Sequence, residues 1–389
     1  MAVTVQYTAD MAPADNLAVV DRAAGKPGVI AVARAAGVSP STVSNVFNRP
    51  EIVSSDRRER VLRAASELGY GGADPSARNL RSGRTGAIGV VLRERLAYSF
   101  EDPAAVRFLQ GVSEAADPEQ LALVIVPAYP EQGTSHGPAV RHIAVDGLIL
   151  YSLISEDPLV EAVRQRRVPT VAVDSPTPHD SAAGAGFDFV GIDEVAAGRT
   201  AMAHLLELGH RHIAVLGFRL SKTGGHGPAN LALQATATAS VPRGRLQGAA
   251  RAAAAAGLSW ADIPVEQCEV SDTAHGRAGT HALLDRAPRT TAILAFSDPL
   301  ALGARHAATE RGLRVPEDLS VIGFDDSALG TEGLTTIHQP LREKGQEATR
   351  RLLAAMTGAP LGPPLLLSTR LVHRRSTAPA PLAAKRTEF

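Results

Sequence analysis

The sequence predicts an N-terminal all-α headpiece built on a helix-turn-helix, followed by an α/β core of two lobes with parallel, doubly wound sheets. Two observations indicate the headpiece: short amphipathic helical segments follow Lys26, and the block that they form is basic. A third observation indicates the core, because apolar strand-like runs alternate with helical segments from residue 86 to residue 375. A stretch of that length forms two compact lobes more readily than one.

Composition limits the class of protein to which the chain can belong. The 389 residues are 44% hydrophobic, which is ample for a buried core, and at roughly 150 residues per domain they predict two or three domains. The net charge is zero, yet residues 26–84 carry ten Lys or Arg against five Asp or Glu, a net charge of +5. A basic block on a neutral chain indicates an anionic partner for that block.

The sequence argues against export, a membrane anchor and a cysteine-based site. Cys268 is the single cysteine, which excludes a disulfide within the chain and a Cys-rich metal site. No apolar run approaches the ~18 residues of a membrane span, and the first residues lack the basic region and apolar core of a secretory signal. We therefore expect a cytoplasmic protein with no membrane contact, and disordered tails over residues 1–25 and 376–389.

The stretch SPSTVSNVFN, residues 39–48, predicts a short helix although it contains a proline. Pro40 fits the first helical position, where a backbone N–H would be unpaired anyway, and Ser39 becomes the N-cap with Thr42 as its partner. Val38 and Val43 then occupy the positions of a hydrophobic staple. The helix has an apolar inner face and a polar outer face, formed respectively by Val43, Val46 and Phe47 and by Ser41, Asn45 and Asn48.

Two further helices complete the predicted headpiece. In the preceding segment GVIAVARAAG, Ile30, Ala33 and Arg34 lie about one turn apart, and Gly37 suits the C-terminus of a helix. The spacing from Ala33 to Gly37 and on to Val43 is that of a helix-turn-helix. The following segment SSDRRERVLRAASELGY carries the i, i+4 pair Glu59 and Arg63 and an apolar stripe of Val61, Leu62, Ala65 and Leu68. Three short helices with a basic surface predict a compact DNA-binding unit.

The segment ARAAGVSPSTVSNVFNRPEIVSSDRRERVLRAASELGY resembles the headpiece of the lactose-repressor (LacI/GalR) family of transcription regulators. The match continues through PSARNLRSGRTGAIGVVL, which resembles the hinge helix and first core strand of that family. Members of the family usually carry Thr and Asp where Gly28 and Ala31 stand, so we expect the first helix to be weakly capped.

The resemblance implies three sets of DNA contacts. Ser41 and Asn45 would face base edges in the major groove, with Pro40 at a third reading position, and an asparagine can bond adenine bidentately there. Ala77 and Leu80 would form an apolar wedge in the minor groove. Phosphate groups, whose contacts fix register without reading sequence, would be bound by Ser39, Thr42, Ser44 and Asn48.

The core alternates β-rich runs with helical segments. The runs AIGVVL, LALVIVP, VDGLILYS, VPTVAVD, FVGID, HIAVLGF, TAILAF and LSVIGFDD read as strands. Continuous apolar strands with helical crossovers predict parallel sheets, and the crevice at the carboxyl ends of such strands is the expected ligand site. The polar segment over residues 218–244 reads as a surface loop beside that crevice, and Asp298, before Pro299, is predicted to cap the next helix.

The core also resembles the same family, whose core is similar to periplasmic sugar-binding proteins. The resemblance rests on AMAHLLELGHRHIAVLG, on TAILAFSDPLALGARHAATERGLRVPEDLSVIGFDD and on LTTIHQPL. It implies that Arg245, Ser297 and Asp325 hold an effector, and Phe100 is predicted to supply an apolar wall. Arginine and aspartate can each make paired, charge-assisted hydrogen bonds to vicinal hydroxyls, which suits a sugar or another polar metabolite.

The expected protein is a ligand-responsive transcriptional regulator, a repressor that binds a near-palindromic double-stranded DNA operator as a homodimer. Its expected domains are a DNA-binding domain over 26–72, a hinge helix and linker over 73–85, and an effector-binding and dimerisation domain over 86–375. The effector can be an inducer or a corepressor. We expect no cofactor and no catalytic constellation. We also expect no metal site, because His204, His210 and His212 fall in a helix-to-strand turn that is typical of the family.

Two alternative classes share the predicted core. A solute-binding protein of a sugar transporter would need export and would have no use for the headpiece. An enzyme on the same core would need a catalytic constellation in the crevice, where the sequence shows none. DNA binding at low salt favours the regulator, whereas turnover of a bound sugar favours the enzyme.

Overall fold

The computed structural model describes residues 28–71, 84–92, 94–127, 137–180, 186–221, 225–328 and 333–381. The chain divides into two compact units at Gly83, which we call the headpiece and the core. The predicted tail over residues 1–25 and the wedge residues Ala77 and Leu80 lie outside the described residues.

The headpiece consists of helices α1 (Val29–Ala36), α2 (Pro40–Asn48) and α3 (Ser55–Glu67), with a 3-10 turn at Pro50–Ile52. Gly37 ends α1 in the left-handed region at φ 62°, a conformation that glycine adopts without steric cost. No side chain caps the start of α1 at Gly28, as expected for a weakly capped helix.

Small and β-branched side chains form the core of the headpiece. The predicted Val43, Val46, Val61 and Ala65 are buried, and Glu59 pairs with Arg63 at 3.0 Å. Two positions of the apolar stripe predicted for α3 are wrong, because Leu62 and Leu68 are 43% and 37% exposed. Ala64 is buried in α3 instead, and Val32 is buried in α1, on the faces where the short helices approach closely.

The first lobe of the core is built on a six-stranded parallel sheet. Its order is β12-β5-β4-β3-β1-β2. The strands are β1 (Ala87–Leu92), β2 (Ala122–Pro127), β3 (Gly147–Tyr151), β4 (Thr170–Val173), β5 (Asp188–Ile192) and β12 (Leu365–Leu367). The described helices of this lobe are α4 (Leu96–Glu101), α5 (Pro103–Ala116), α6 (Gly137–His142), α7 (Pro158–Arg166) and α13 (Leu341–Met356).

The second lobe is built on a seven-stranded sheet of order β13-β11-β10-β9-β6-β8-β7. Its strands are β6 (Ile213–Phe218), β7 (Gly227–Pro228), β8 (Val265–Cys268), β9 (Ala292–Ala295), β10 (Ser320–Asp325), β11 (Thr335–His338) and β13 (Arg370–Val372). The inner strands are parallel, whereas the edge strands β7 and β13 pair antiparallel. The described helices are α8 (Glu194–Glu207), α9 (Leu231–Ala235), α10 (Ser240–Ala255), α11 (Thr273–Arg286) and α12 (Asp298–Glu310).

Both sheets are covered on their two faces, as the continuous apolar strands predict. Two buried hydrophobic clusters belong to the strands and helices of the first lobe, and two belong mainly to those of the second. The chain passes from one sheet to the other after Ile192, after His338 and after Leu367. The two-lobed, doubly wound core is therefore confirmed. No helix in the described segments is long and apolar enough to cross a bilayer.

Two predicted irregular segments are ordered where the structure describes them. The supposed loop over residues 218–244 contains β7, α9 and the first turn of α10, and its residues Ala229, Ala237 and Ala239 are buried. The predicted disordered tail from residue 376 is wrong up to Ala380. Ser376 exchanges backbone and side-chain hydrogen bonds with Val321 in β10, and Ala380 N–H donates to the Leu208 carbonyl at 2.8 Å.

Candidate DNA-reading helix and interlobe cavity

Local hydrogen bonds hold the predicted DNA-reading helix α2 in shape. The Ser39 hydroxyl accepts from the Thr42 N–H at 3.1 Å and contacts the hydroxyls of Ser41 and Thr42 at 2.7 and 2.9 Å. At the other end, Asn48 Nδ2 donates to the Ser44 carbonyl at 2.9 Å and lies 3.1 Å from its hydroxyl. The predicted phosphate-binding residues thus lie along α2 from its N-cap Ser39 to its last residue Asn48, and each has a polar neighbour.

The predicted base-reading residues lie on the outer face of the same helix. Pro40 and Ser41 are exposed and Asn45 is half-buried. Within residues 28–71, the side-chain amide of Asn45 forms no hydrogen bond to another residue. The same described range carries six arginines against four carboxylates, and all six arginines are exposed. This face offers the Asn45 amide and the Ser41 hydroxyl beside a positive surface, which is the chemistry of a nucleic-acid contact.

A cavity lies between the two lobes, where the carboxyl ends of their strands meet. Its accessible volume is about 120 Å³. Its lining includes Leu92 and Tyr151 at the ends of β1 and β3, and Phe218 and Asp325 at the ends of β6 and β10. The position agrees with the rule that open parallel sheets bind ligands beyond the carboxyl ends of their strands.

Two contacts tie the lobes together at this cavity. The Tyr98 hydroxyl of the first lobe donates to the Ser271 carbonyl of the second at 2.7 Å. The Arg219 guanidinium of the second lobe pairs with Glu94 of the first at 3.0 Å. All four residues line the cavity, so a change in the distance between the lobes changes its walls.

Arg245 is fixed in the cavity wall by partners on three sides. Its guanidinium pairs with Glu194 at 2.7 Å, donates to the Phe296 carbonyl and lies 3.4 Å above the centre of the Phe324 ring. Burial alone would lower the pKa of Arg245, but the carboxylates of Glu194 and Asp325 outweigh it and raise that pKa. Arg245 therefore stays charged and holds a fixed direction, as a ligand-binding arginine requires.

Asp325 and Ser297 line the same cavity from the ends of β10 and β9. The Asp325 carboxylate accepts from the Gln339 amide, and its backbone has a φ of 109°, an uncommon conformation for a non-glycine residue. Burial raises the pKa of Asp325 well above its usual value, and the nearby carboxylates of Asp298 and Asp102 add to the rise. The Ser297 hydroxyl contacts that of Ser271 at 2.7 Å and accepts from the Leu300 N–H at 3.3 Å.

Three of the four predicted effector residues thus meet in one cavity, and the fourth does not. Phe100 is 57% exposed and is not part of the lining, which instead receives Tyr98, Ser99 and Asp102 from the same stretch of chain. The sequence carried a signal for Asp102, since Asp-Pro after a strand indicates a helix N-cap at the carboxyl edge. That cap is present, because the Asp102 carboxylate accepts from the Ala104 N–H at 3.0 Å.

The predicted capping role of Asp298 is also wrong. Ser297 caps α12, and Asp298 is its first residue. The buried Asp298 carboxylate instead accepts from the Ser327 N–H and the Thr336 hydroxyl, both at 2.7 Å, so it joins the loop after β10 to strand β11. The neighbouring Asp326 pairs with Arg374 and His338 at 2.7 and 2.9 Å and is structural in the same way.

The histidines near Gly209 have structural partners. His210 is buried between the Thr291 hydroxyl and the Ala378 carbonyl, at 2.9 and 3.0 Å, and His204 contacts the Thr377 hydroxyl at 3.0 Å. Over the described ranges, no group of three or more His, Cys, Asp or Glu side chains is placed to hold a metal ion.

Comparison with known proteins supports both halves of this architecture. Residues 31–71 match the sequence model of the lacI family of bacterial regulatory proteins, and residues 202–377 match that of the periplasmic binding protein-like domain. The chain is 36% identical over 352 residues to the HTH-type transcriptional regulator IpsA of Corynebacterium glutamicum, which covers 90% of this chain and 96% of IpsA.

Two solved structures are similar over almost their whole length. A complex of the transcriptional regulator CelR with cellobiose has a TM-score of 0.64 and 31% identity, covering 90% of this chain and 99% of that one. The lac repressor dimer bound to operator and the anti-inducer ONPF has a TM-score of 0.69 and 28% identity, covering 89% and 98%.

A helix-turn-helix headpiece joined to a two-lobed, periplasmic-binding-protein-like core defines a DNA-binding transcriptional regulator, and not an enzyme. The relatives are regulators over nearly the full chain, which rules against the transporter and enzyme alternatives. This chain belongs to the LacI family of bacterial regulatory proteins, and the resemblance seen in its sequence is confirmed.

Proposed function

We propose that this regulator binds a near-palindromic DNA operator as a homodimer, acts as a repressor in the cytoplasm, and responds to a sugar or related polar metabolite held in the interlobe cavity. The observation that carries the proposal is the meeting of Arg245, Ser297 and Asp325 with residues of the first lobe in one cavity. A ligand there contacts both lobes and so favours one arrangement of them over another.

The DNA-binding part of the proposal rests on the outer face of α2. Ser41 and Asn45 present small, neutral groups toward the major groove, and an asparagine there suits an adenine. Ser39, Thr42, Ser44 and Asn48 flank them as phosphate contacts, and Ala77 and Leu80 are proposed as the minor-groove wedge of the hinge. Two-fold symmetry of the dimer would be mirrored in the operator, and the related lac repressor is a dimer on its operator.

The effector part of the proposal rests on the chemistry of the cavity. Asp325 and Arg245 offer an acceptor and donors that match vicinal hydroxyls, and Ser297 adds a hydroxyl. The related CelR is solved with cellobiose, which supports a carbohydrate as the class of ligand. By thermodynamic reciprocity, an effector that weakens operator binding binds the free protein more tightly, whereas a corepressor prefers the complex.

Operator selection tests the DNA-binding part. Purified protein is used to select fragments of the source genome, and the affinity for them is then measured by fluorescence anisotropy across a series of salt concentrations. We expect specific fragments that share a two-fold symmetric site and an affinity that falls steeply with salt. Absence of DNA binding at low salt would refute the DNA-binding part of the proposal.

Asn45→Ala tests base reading against phosphate binding. We expect it to reduce discrimination between the selected site and single-base variants by about 1–3 kcal/mol. Asn48→Ala on the same helix is the matched control, because loss of a phosphate contact weakens binding to all sites about equally. Unchanged discrimination in Asn45→Ala would remove that residue from the reading face.

Asp325→Ala tests the effector site. We expect the variant to bind the operator as tightly as the unmodified protein does without effector, and to lose the change in affinity that the effector causes. Asp326→Ala removes a carboxylate from the next residue, which does not line the cavity, and should keep the response. A full response in Asp325→Ala would show that the effector binds elsewhere.

A further inference from the structure

The interlobe cavity is acidic. Five carboxylates line it, from Glu94, Asp102, Asp174, Glu269 and Asp325, and Glu194 stands directly behind Arg245. Against these six stand three cations, namely Arg219 and Arg245 in the lining and Lys344 behind Asp174. The acidic groups of the cavity and its immediate backing therefore outnumber the cations by six to three. Burial and the neighbouring carboxylates raise the pKa of Asp325, and burial raises that of Asp102, so the site already disfavours negative charge.

Each of these cations already has a carboxylate partner. Arg219 pairs with Glu94 at 3.0 Å, Arg245 with Glu194 at 2.7 Å, and Lys344 with Asp174 at 2.6 Å. Among the lining residues that the structure describes, no positive side chain remains without such a partner. An anionic ligand would have to compete with a protein carboxylate for each of these cations. Displacing that carboxylate would leave it buried without its partner, which costs free energy.

Three lining carboxylates lack a paired cation, those of Asp102, Glu269 and Asp325. Glu269 is exposed to solvent, whereas Asp102 and Asp325 are less exposed and lie on opposite lobes. Asp102 accepts a backbone N–H at the start of α5 in the first lobe. Asp325 accepts from Gln339 in the second lobe. Each carboxylate has two oxygens and about four acceptor sites, so both retain capacity for further donors from a ligand between the lobes.

We infer that the cavity takes an uncharged, hydroxyl-rich ligand and excludes anionic ones such as sugar phosphates and sugar acids, with Asp102 as the acceptor on the first lobe opposite Asp325 on the second. The inference rests on the proposed effector role of this cavity. Hydroxyl groups donate to both carboxylates and bring the two lobes together around the ligand. A phosphate or carboxylate group would instead lie between two acidic side chains in a site of low dielectric, where further negative charge is unfavourable.

The first experiment compares matched ligands on the full-length protein. Ribose, glucose and cellobiose are titrated by calorimetry beside ribose 5-phosphate, glucose 6-phosphate and glucuronate, with a thermal-shift screen of further uncharged sugars and polyols. We expect at least one uncharged compound to bind and its anionic counterpart to bind at least about 100-fold more weakly. Failure of every uncharged compound to bind overturns the inference, as does an anionic counterpart that binds within tenfold of its uncharged parent.

The second experiment isolates the charge of Asp102. Asp102→Asn keeps an acceptor for the Ala104 N–H but loses the negative charge. We expect the Kd of the uncharged ligand to rise about tenfold. We also expect a smaller ratio between the Kd of the anionic counterpart and the Kd of the uncharged ligand. Asp157→Asn is the matched control, since Asp157 precedes Pro158, caps α7 through the Leu159 N–H at 3.0 Å and does not line the cavity. If Asp102→Asn leaves the ratio of the two Kd values unchanged, Asp102 does not set the preference for uncharged ligands. This holds whether or not the variant melts at a lower temperature.

Operator binding separates this inference from the proposed function. An anionic compound that binds tightly and alters operator affinity disproves the charge selectivity but leaves the proposed function standing. An uncharged compound that binds with the expected selectivity but leaves operator affinity unchanged supports the selectivity and contradicts the effector role.

Discussion

Replacement of Lys344 by methionine should strongly destabilise the core, because Lys344 carries a fully buried charge. Its ammonium group lies 2.6 Å from the Asp174 carboxylate and also donates to the Gln339 amide oxygen, and its side chain has no exposed surface. Asp174 is itself buried. Methionine fills a similar volume but leaves that carboxylate buried without its cation. Loss of one partner from such a pair costs about 3–5 kcal/mol.

The measurement is urea unfolding followed by the fluorescence of Trp260, the single tryptophan of the chain, which lies in the core. The double variant Lys344→Met with Asp174→Asn should recover much of the lost stability, because no unpaired charge then remains. Arg277→Met is the control for an exposed pair, since Arg277 and Glu310 lie 3.0 Å apart with both side chains about half exposed, and it should change stability little.

Two results would refute this reasoning. A loss of less than about 1 kcal/mol in Lys344→Met would mean that solvent or a rearranged side chain compensates Asp174. A double variant no more stable than the single one would mean that lost packing, and not the unpaired carboxylate, sets the cost.

Two further predictions concern the core. Gly248→Ala should destabilise the core by about 1–3 kcal/mol in the same urea assay, because an added Cβ would lie 2.0 Å from the Val195 carbonyl oxygen of the facing helix. Gly225→Ala is the control and should not destabilise the core, because the space around Gly225 is open. Burial raises the pKa of Asp102 from 3.8 to about 6. The folded state therefore binds this proton more tightly than the unfolded state, so the contribution of Asp102 to stability falls as pH rises from about 4 to about 6. Asp102→Asn should lack this part of the pH dependence, and an unchanged profile would contradict the raised pKa.

The headpiece shows how much a sequence predicts when the interactions are local. The cap at Ser39, the first-turn proline at Pro40 and the left-handed glycine at Gly37 each depend on a few neighbouring residues, and all three are confirmed. Which apolar residues are buried was harder to predict. Leu62 and Leu68 are exposed because the packing angle of three short helices, which no local pattern contains, selects the buried face.

The interlobe cavity shows the same limit for a binding site. Sequence resemblance placed Arg245, Ser297 and Asp325, because they sit at strand ends and helix faces that the fold fixes. The sequence predicted Phe100 as a lining residue and did not predict Asp102, although the structure places Asp102 in the lining and Phe100 outside it. The direction of α4 relative to the second lobe decides which residues of this segment face the cavity.

The sequence by itself determined the order of the elements, the caps of the headpiece, the parallel character of the sheets and the class of regulator. The elements, caps and sheets follow from periodicity and from contacts between residues close along the chain, and the class of regulator follows from the resemblance of the motifs to the family. The tertiary structure alone decided the charge of the cavity, because Lys344 and Asp174 lie 170 residues apart, and Arg245 and Glu194 lie 51 apart. Each pair lies within one lobe and meets only when that lobe has folded. Our inference that Asp102 and Asp325 are acceptors for a ligand therefore depends on the tertiary structure.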